Sequence, residues 1–164
     1  MNPKDFLILL IVSFLWGGSF LFIRLLVLEG MEPLEIVSMR MLLASIFIMP
    51  FLLNRSKKHS FKDHSLSFLL IGILNTALPF TLFAYASLQL GAGSLSVLQA
   101  TVPILTALIL FSLFKNEFSI SKLIGVLIGF VGLYVLVGPG SNFDLFSSIL
   151  CVIASLSYSV AGVY

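Results

Sequence analysis

Six nearly unbroken apolar stretches, about 17 to 23 residues each, divide this chain near 6–28, 34–53, 66–88, 94–114 and 122–138, with a sixth beginning near 145. That spacing constrains the fold more than any other feature. A helix rising 1.5 Å per residue needs about 20 such residues to cross ~30 Å of hydrocarbon. Only 10% of the residues are charged and 59% are hydrophobic, whereas an ordinary soluble domain is about 25% charged. The apolar runs are continuous rather than alternating, and a membrane barrel strand would use only ~10 residues. The expectation is an all-α membrane protein, a multi-helix transmembrane bundle with six spanning segments. The first run is too long for a secretory apolar region and lacks a small-x-small cleavage site, so it reads as a retained helix.

The connections differ in charge. Seven of the nine cations lie at the N-terminus or in NRSKKHSFKDH (54–64) and KNEFSISK (115–122), while EGMEPLE (29–35), QLGAG (89–93) and GPGSNFD (138–144) contain no Lys or Arg. Alternate connections thus obey the positive-inside rule, placing a multi-pass chain in a cell membrane with its N-terminus in the cytoplasm. The basic 54–64 stretch reads as a topology determinant. His59 and His64 within it have no carboxylate or thiol at ligand spacing and read as solvated. Cys151 is the only cysteine, so it forms no internal disulfide and reads as a small packing residue. No acidic or basic tail offers a nucleic-acid partner, and no cofactor is implied.

The two remaining cations, Arg24 and Arg40, fall inside apolar runs. On a helical wheel Ser13, Gly17, Phe20 and Arg24 share a narrow sector, with Trp16 at its edge. Arg24 lies ~6 Å from the outer end of its helix and Arg40 ~9 Å into the next from the same side. Arg24 can snorkel or pair with Glu29, or face a cavity; for Arg40, a cavity role and a structural one stand level. The third helix aligns Asn75 and Pro79, with Tyr85 flanking, and the fourth aligns Gln99 and Pro103. Proline removes an intrahelical bond, and the freed carbonyl is tolerated at depth only beside protein or a wet cavity. Helix discontinuities at Pro79 and Pro103 therefore suit the walls of a binding site; the alternative is a packing kink, with Asn75 and Gln99 as interhelical hydrogen-bond partners. Candidate substrate-binding residues are Trp16, Phe20, Arg24, Arg40, Asn75, Tyr85 and Gln99. Gly125, Gly129 and Gly132 form a small-residue stripe for helix packing, within the chain or between chains. The diglycine Gly17-Gly18 admits a helix or a ligand close to the backbone.

Four stretches carry a resemblance: FLWGGSFLFIRLL, MEPLEIVSMRMLLA, ALPFTLFAYASLQLGAGSLSVLQATVPILTALI and NEFSISKLIGVLIGFVGLYVLVG. In this order and spacing, across residues 6–138, the chain resembles the EamA branch of the drug/metabolite transporter superfamily. The resemblance implies an inner-membrane transporter of ten helices in two inverted five-helix repeats, of which residues 1–138 would be the first and 139–164 the start of the second. Ser155-Leu-Ser-Tyr158 aligns with Ser13-Phe-Leu-Trp16 as a weak repeat. On that reading the sequence is truncated, lacks about four helices, and needs the second repeat or an antiparallel homodimer to close its pocket; the uniform charge bias disfavours the dimer.

The resulting expectation is a transporter, an exporter by resemblance, of small metabolites such as amino acids or related carboxylate-bearing compounds, working by alternating access. Arginines would meet the anionic group, with Trp16, Phe20 and Tyr85 covering the apolar part. The alternatives are a small-multidrug-type exporter of hydrophobic cations and a non-transporting helix-packing protein. An enzyme is not expected, because every carboxylate lies at a helix end or in a connection and no activated nucleophile or metal site sits at membrane depth. No acid lies between Phe6 and Leu28, so proton coupling through a glutamate of the first helix is not expected either.

Overall fold

The computed structural model describes residues 2–53, 64–113, 119–137 and 144–164. Residues 54–63 with His59 among them, the first half of the basic stretch 115–122, and most of 138–144 lie outside the described residues. Helix α1 (Pro3–Leu28) starts where the Asn2 side chain accepts a hydrogen bond from the Lys4 backbone N–H, with proline at the first helical position. It ends in a Schellman motif: Gly30 N–H donates to Val27 O and Met31 N–H to Leu26 O, both at 3.1 Å. That closure needs the left-handed backbone of Gly30, φ +92°. The chain reverses within a few residues into α2 (Pro33–Leu53).

The third span is one helix in three pieces: α3 (Ser65–Gly72), a π turn (Ile73–Ala77) and α4 (Leu78–Ala86). In the π turn the Leu78 N–H reaches back five residues to Ile73 O. The next bond in that register would run from residue 79 to Leu74 O, and Pro79 has no N–H to give. A hydroxyl from elsewhere takes the place, Ser157 Oγ donating to Leu74 O at 2.7 Å. The fourth span is also divided, into α5 (Ala92–Gln99) and α6 (Val102–Leu113), with Pro103 in the first turn of α6. Leu98 O at this break accepts from Thr101 N at 3.2 Å, Thr101 Oγ at 2.6 Å and Ser155 Oγ at 3.2 Å. Ser159 Oγ adds a bond to Val102 O at 3.1 Å.

Helix α7 (Ile120–Val137) precedes α8 (Leu145–Val163). Asp144 caps α8 by accepting from Ser147 N–H at 2.8 Å, and hydrogen bonds from Ser147, the backbone one foremost, hold this carboxyl below the usual carboxylate range. Among the described residues five helical segments are long and apolar enough to span a membrane, the two divided spans each counting once. The sixth expected span is α7, 18 residues long. No strand occurs among the described residues.

Helix α8 is the most enclosed span and packs against α4, α5 and α6. One core cluster joins Phe20 of α1 and Phe83 and Ala86 of α4 to Cys151, Ala154 and Tyr158 of α8. A second joins Ile23, Ile36, Val37 and Ala84 at the meeting of α1, α2 and α4. Outward faces of α1 and α2 keep Phe14, Phe22, Phe47 and Phe51 exposed, as suits a surface whose solvent is hydrocarbon. The stripe Gly125, Gly129 and Gly132 has open space where side chains would project. No other described helix closes on it, so of the two packing partners expected for this stripe the one within the chain is not seen.

The serine contacts make a quantitative expectation. Ser157→Ala should cost about 1 kcal/mol, and most of that cost should vanish beside Pro79→Ala, which returns an N–H to the Leu74 carbonyl. A double-mutant cycle on reversible unfolding in mixed micelles reads the coupling; strict additivity would reject the pairing.

Candidate substrate-binding site

Where α1, α2, α4, α5 and α8 meet, the packing leaves a cavity of about 220 Å³. Its walls are chiefly apolar and aromatic: Trp16 and Phe20 from α1, Phe80 and Phe83 from α4, and Tyr158 from α8. Phe20 meets Phe83 edge to face with centroids 5.4 Å apart, an arrangement favoured by the ring quadrupoles. Arg40 is the one charged side chain in this lining. Its Nη2 donates to Ser19 Oγ at 3.0 Å, and its guanidinium carbon stands 4.8 Å from the centroid of the Phe80 ring, a cation–π contact. A guanidinium has five N–H donors. Ser19 is the one hydrogen-bond partner of Arg40 among the described residues, so donors remain available to an occupant of the cavity.

Trp16 Nε1 donates to Gln99 Oε1 at 3.2 Å, tying α1 to the end of α5. Beyond this bridge lies a wider chamber of about 470 Å³, lined by Asn75, Ser96, Ala100 and Pro103 together with Trp16, Gln99 and Tyr158. A third hollow, about 340 Å³, runs past Ser13 and Gly17 to Ser96. No described helix closes on the diglycine: a Cβ at Gly17 would meet nothing within 4 Å, and one at Gly18 only the Phe22 ring at 4.0 Å. Of the two uses open to this pair in the sequence, Gly17 borders open cavity.

Trp16, Phe20, Arg40 and Gln99 thus share the smaller cavity, and Asn75 joins Trp16 and Gln99 at the larger. Pro79 follows the π turn and Pro103 the break between α5 and α6. Tyr85 and Arg24 line neither space. Arg24 Nη1 instead donates to the carbonyls of Ser87 and, at 3.1 Å, Leu88. Those carbonyls follow the C-terminus of α4, where a cation meets the negative end of the helix dipole. Its partners are these carbonyls rather than Glu29, and it does not converge with Arg40 on one cavity. Ser19, Phe80, Phe83 and Tyr158 enter the lining without having been singled out in the sequence. Only Tyr158 carried a signal, its alignment with Trp16 in the weak internal repeat.

The chain is 29% identical, over 98% of its length, to a protein of Archaeoglobus fulgidus described as an uncharacterized transporter, 56% of which is covered. It is 31% identical over 92% of its length to the uncharacterized inner membrane transporter YedA of Escherichia coli K12, with 49% of that protein covered. The uncharacterized transporter YoaV of Bacillus subtilis is 24% identical over 93% of the chain, with 54% of YoaV covered. The chain spans about half the length of these curated relatives. No solved structure gives a significant match. The profile of the EamA-like transporter family matches residues 4–138, a range that holds every lining residue of both cavities except Tyr158 of α8. With that match over most of its length, this multi-pass membrane protein belongs to the EamA-like transporter family.

Proposed function

We propose that the chain supplies the substrate-binding wall of a membrane transporter exporting small amphipathic metabolites that bear a carboxylate, amino acids and related compounds among them, by alternating access. On this reading α8 opens the second, inverted repeat, and the N-terminus lies in the cytoplasm as the charge asymmetry requires. The observation that carries it is Arg40, the one charge lining an otherwise apolar, aromatic cavity. A guanidinium in low dielectric, with donors to spare, recognises a planar anion by paired hydrogen bonds. The rings around it accept the apolar remainder of the same molecule. A hydrophobic cation would meet that charge unscreened, and no carboxylate lines the cavity to offset it.

Trp16 lines the cavity and is the only tryptophan of the chain, so its fluorescence reports occupancy directly. In nanodiscs, hexanoate should perturb Trp16, and Arg40→Gln should weaken that binding by about 10- to 100-fold, the worth of a hydrogen bond to a charged group. Equal hexanoate affinity in Arg40→Gln, or tight tetraphenylphosphonium binding in the unaltered chain, would reject the reading. Transport is read as counterflow in proteoliposomes; its absence for every carboxylate tried would favour a helix-packing protein.

A further inference from the structure

Five polar side chains line the Arg40 cavity, and four of them are tied in pairs: Ser19 Oγ accepts from Arg40 at 3.0 Å, and Gln99 Oε1 accepts from Trp16 at 3.2 Å. The fifth is Tyr158 of α8. It is only 9% exposed, yet its hydroxyl has no hydrogen-bond partner among the described residues. No fully enclosed side-chain oxygen among those residues lacks a partner, so this hydroxyl keeps open surface, and Tyr158 borders both the smaller cavity and the wider chamber. Its ring is fixed by Phe80 and Phe83, whose centroids each stand 6.4 Å away. The Arg40 guanidinium carbon lies 4.8 Å from the same Phe80 centroid, and Arg40 is the charged group within electrostatic reach of the Tyr158 hydroxyl. A phenylalanine would fill this aromatic slot without the cost of a polar oxygen that no protein group serves at membrane depth. The phenol therefore waits on water or a ligand.

We propose that Tyr158 is a substrate-binding residue whose hydroxyl donates to a lone pair of the carboxylate that Arg40 holds. The inference rests on the reading of Arg40 as the carboxylate anchor and adds a second, neutral donor to the same seat. An ionised carboxylate offers about four acceptor sites on its two oxygens, enough for a guanidinium and a phenol together. A hydroxyl bonded to an ionised oxygen is roughly twice as strong as a neutral pair, so the gain is largest for an anion. No hydrogen bond joins Tyr158 to Arg40 directly among the described residues. The bound carboxylate supplies that link, tying α2 to α8.

Tyr158→Phe keeps the ring and removes only the oxygen. In nanodiscs, read by Trp16 fluorescence, it should weaken hexanoate about tenfold, the worth of one hydrogen bond to a charged group. Hexanol shares the apolar stem without the charge, and its affinity should change much less. An equal loss for both probes would make Tyr158 a packing residue and overturn the proposal. If Tyr158→Phe binds hexanoate as tightly as the unaltered chain while Arg40→Gln still weakens it, the hydroxyl is overturned and the carboxylate anchor stands. If Arg40→Gln leaves hexanoate binding unchanged, the anchor itself fails and the second donor with it. A second measurement leaves Tyr158 in place: Tyr85→Phe, Tyr134→Phe and Tyr164→Phe together make it the only tyrosine of the chain. The magnetic resonance signal of its isotopically labelled Cζ should move with hexanoate well beyond any movement with hexanol. A signal that hexanoate leaves in place while Trp16 reports binding would overturn the proposal as well.

Discussion

Replacing Phe83 by alanine is expected to lower stability by about 3 kcal/mol. The side chain is 2% exposed and joins three helices, meeting Phe20 of α1 at 5.4 Å and Tyr158 of α8 at 6.4 Å between ring centroids. The figure sits at the low end for such a truncation because helices in lipid gain nothing from removing apolar surface from water; what is lost is dispersion across the new void. Phe83→Leu keeps much of the volume and should cost less than about 1.5 kcal/mol. Unfolding by steric trapping in bicelles measures both. A Phe83→Ala cost under 1 kcal/mol would mean that this cluster is not close-packed.

Arg24→Leu is expected to cost about 2 to 3 kcal/mol, since one guanidinium serves two carbonyls and hydrogen bonds to charged groups are the stronger kind. Ser87 is wholly buried, so its carbonyl has little access to replacement water, whereas Leu88 is exposed and can be rehydrated. Arg24→Lys keeps the charge at the helix end without the fork and should recover part of the loss. Hexanoate affinity of the folded fraction should be unaltered, because Arg24 lines neither cavity. Wild-type stability in Arg24→Leu would show that water serves both carbonyls.

The spans were legible because bilayer thickness imposes a length that composition cannot disguise. The expected starts at 6, 34, 66, 94, 122 and 145 lie within three residues of the helices at Pro3, Pro33, Ser65, Ala92, Ile120 and Leu145. Arg40 and Trp16, which both line the smaller cavity, stood out in the sequence because a charge or an indole among aliphatic residues needs a partner. The partners did not, since a wheel gives the direction of a side chain but not what stands opposite. Arg24 shows this: its sector pointed inward, yet the carbonyls it meets are 63 and 64 residues away in sequence. Ser155, Ser157 and Ser159 were passed over because a serine in an apolar helix usually bonds its own preceding turn. Ser159 does so, to Ser155 O at 2.8 Å, while also reaching α6. Only the meeting of these hydroxyls with carbonyls at the two helix interruptions, visible in three dimensions, gives the row its purpose.

The hydroxyls of α8 also set a timetable for biosynthesis. Leu74 O waits for Ser157 through 83 residues of chain, while Leu98 O, served meanwhile by Thr101, waits through 57 for Ser155 as a further donor. At ribosomal speeds of about 5 to 20 residues per second, the first interval lasts roughly 4 to 17 s. During it the third span, with its π turn, has already left the ribosome with a carbonyl that lipid cannot serve. Early spans must therefore linger where water or the insertion machinery reaches them, and the bundle locks only when its last described helix arrives.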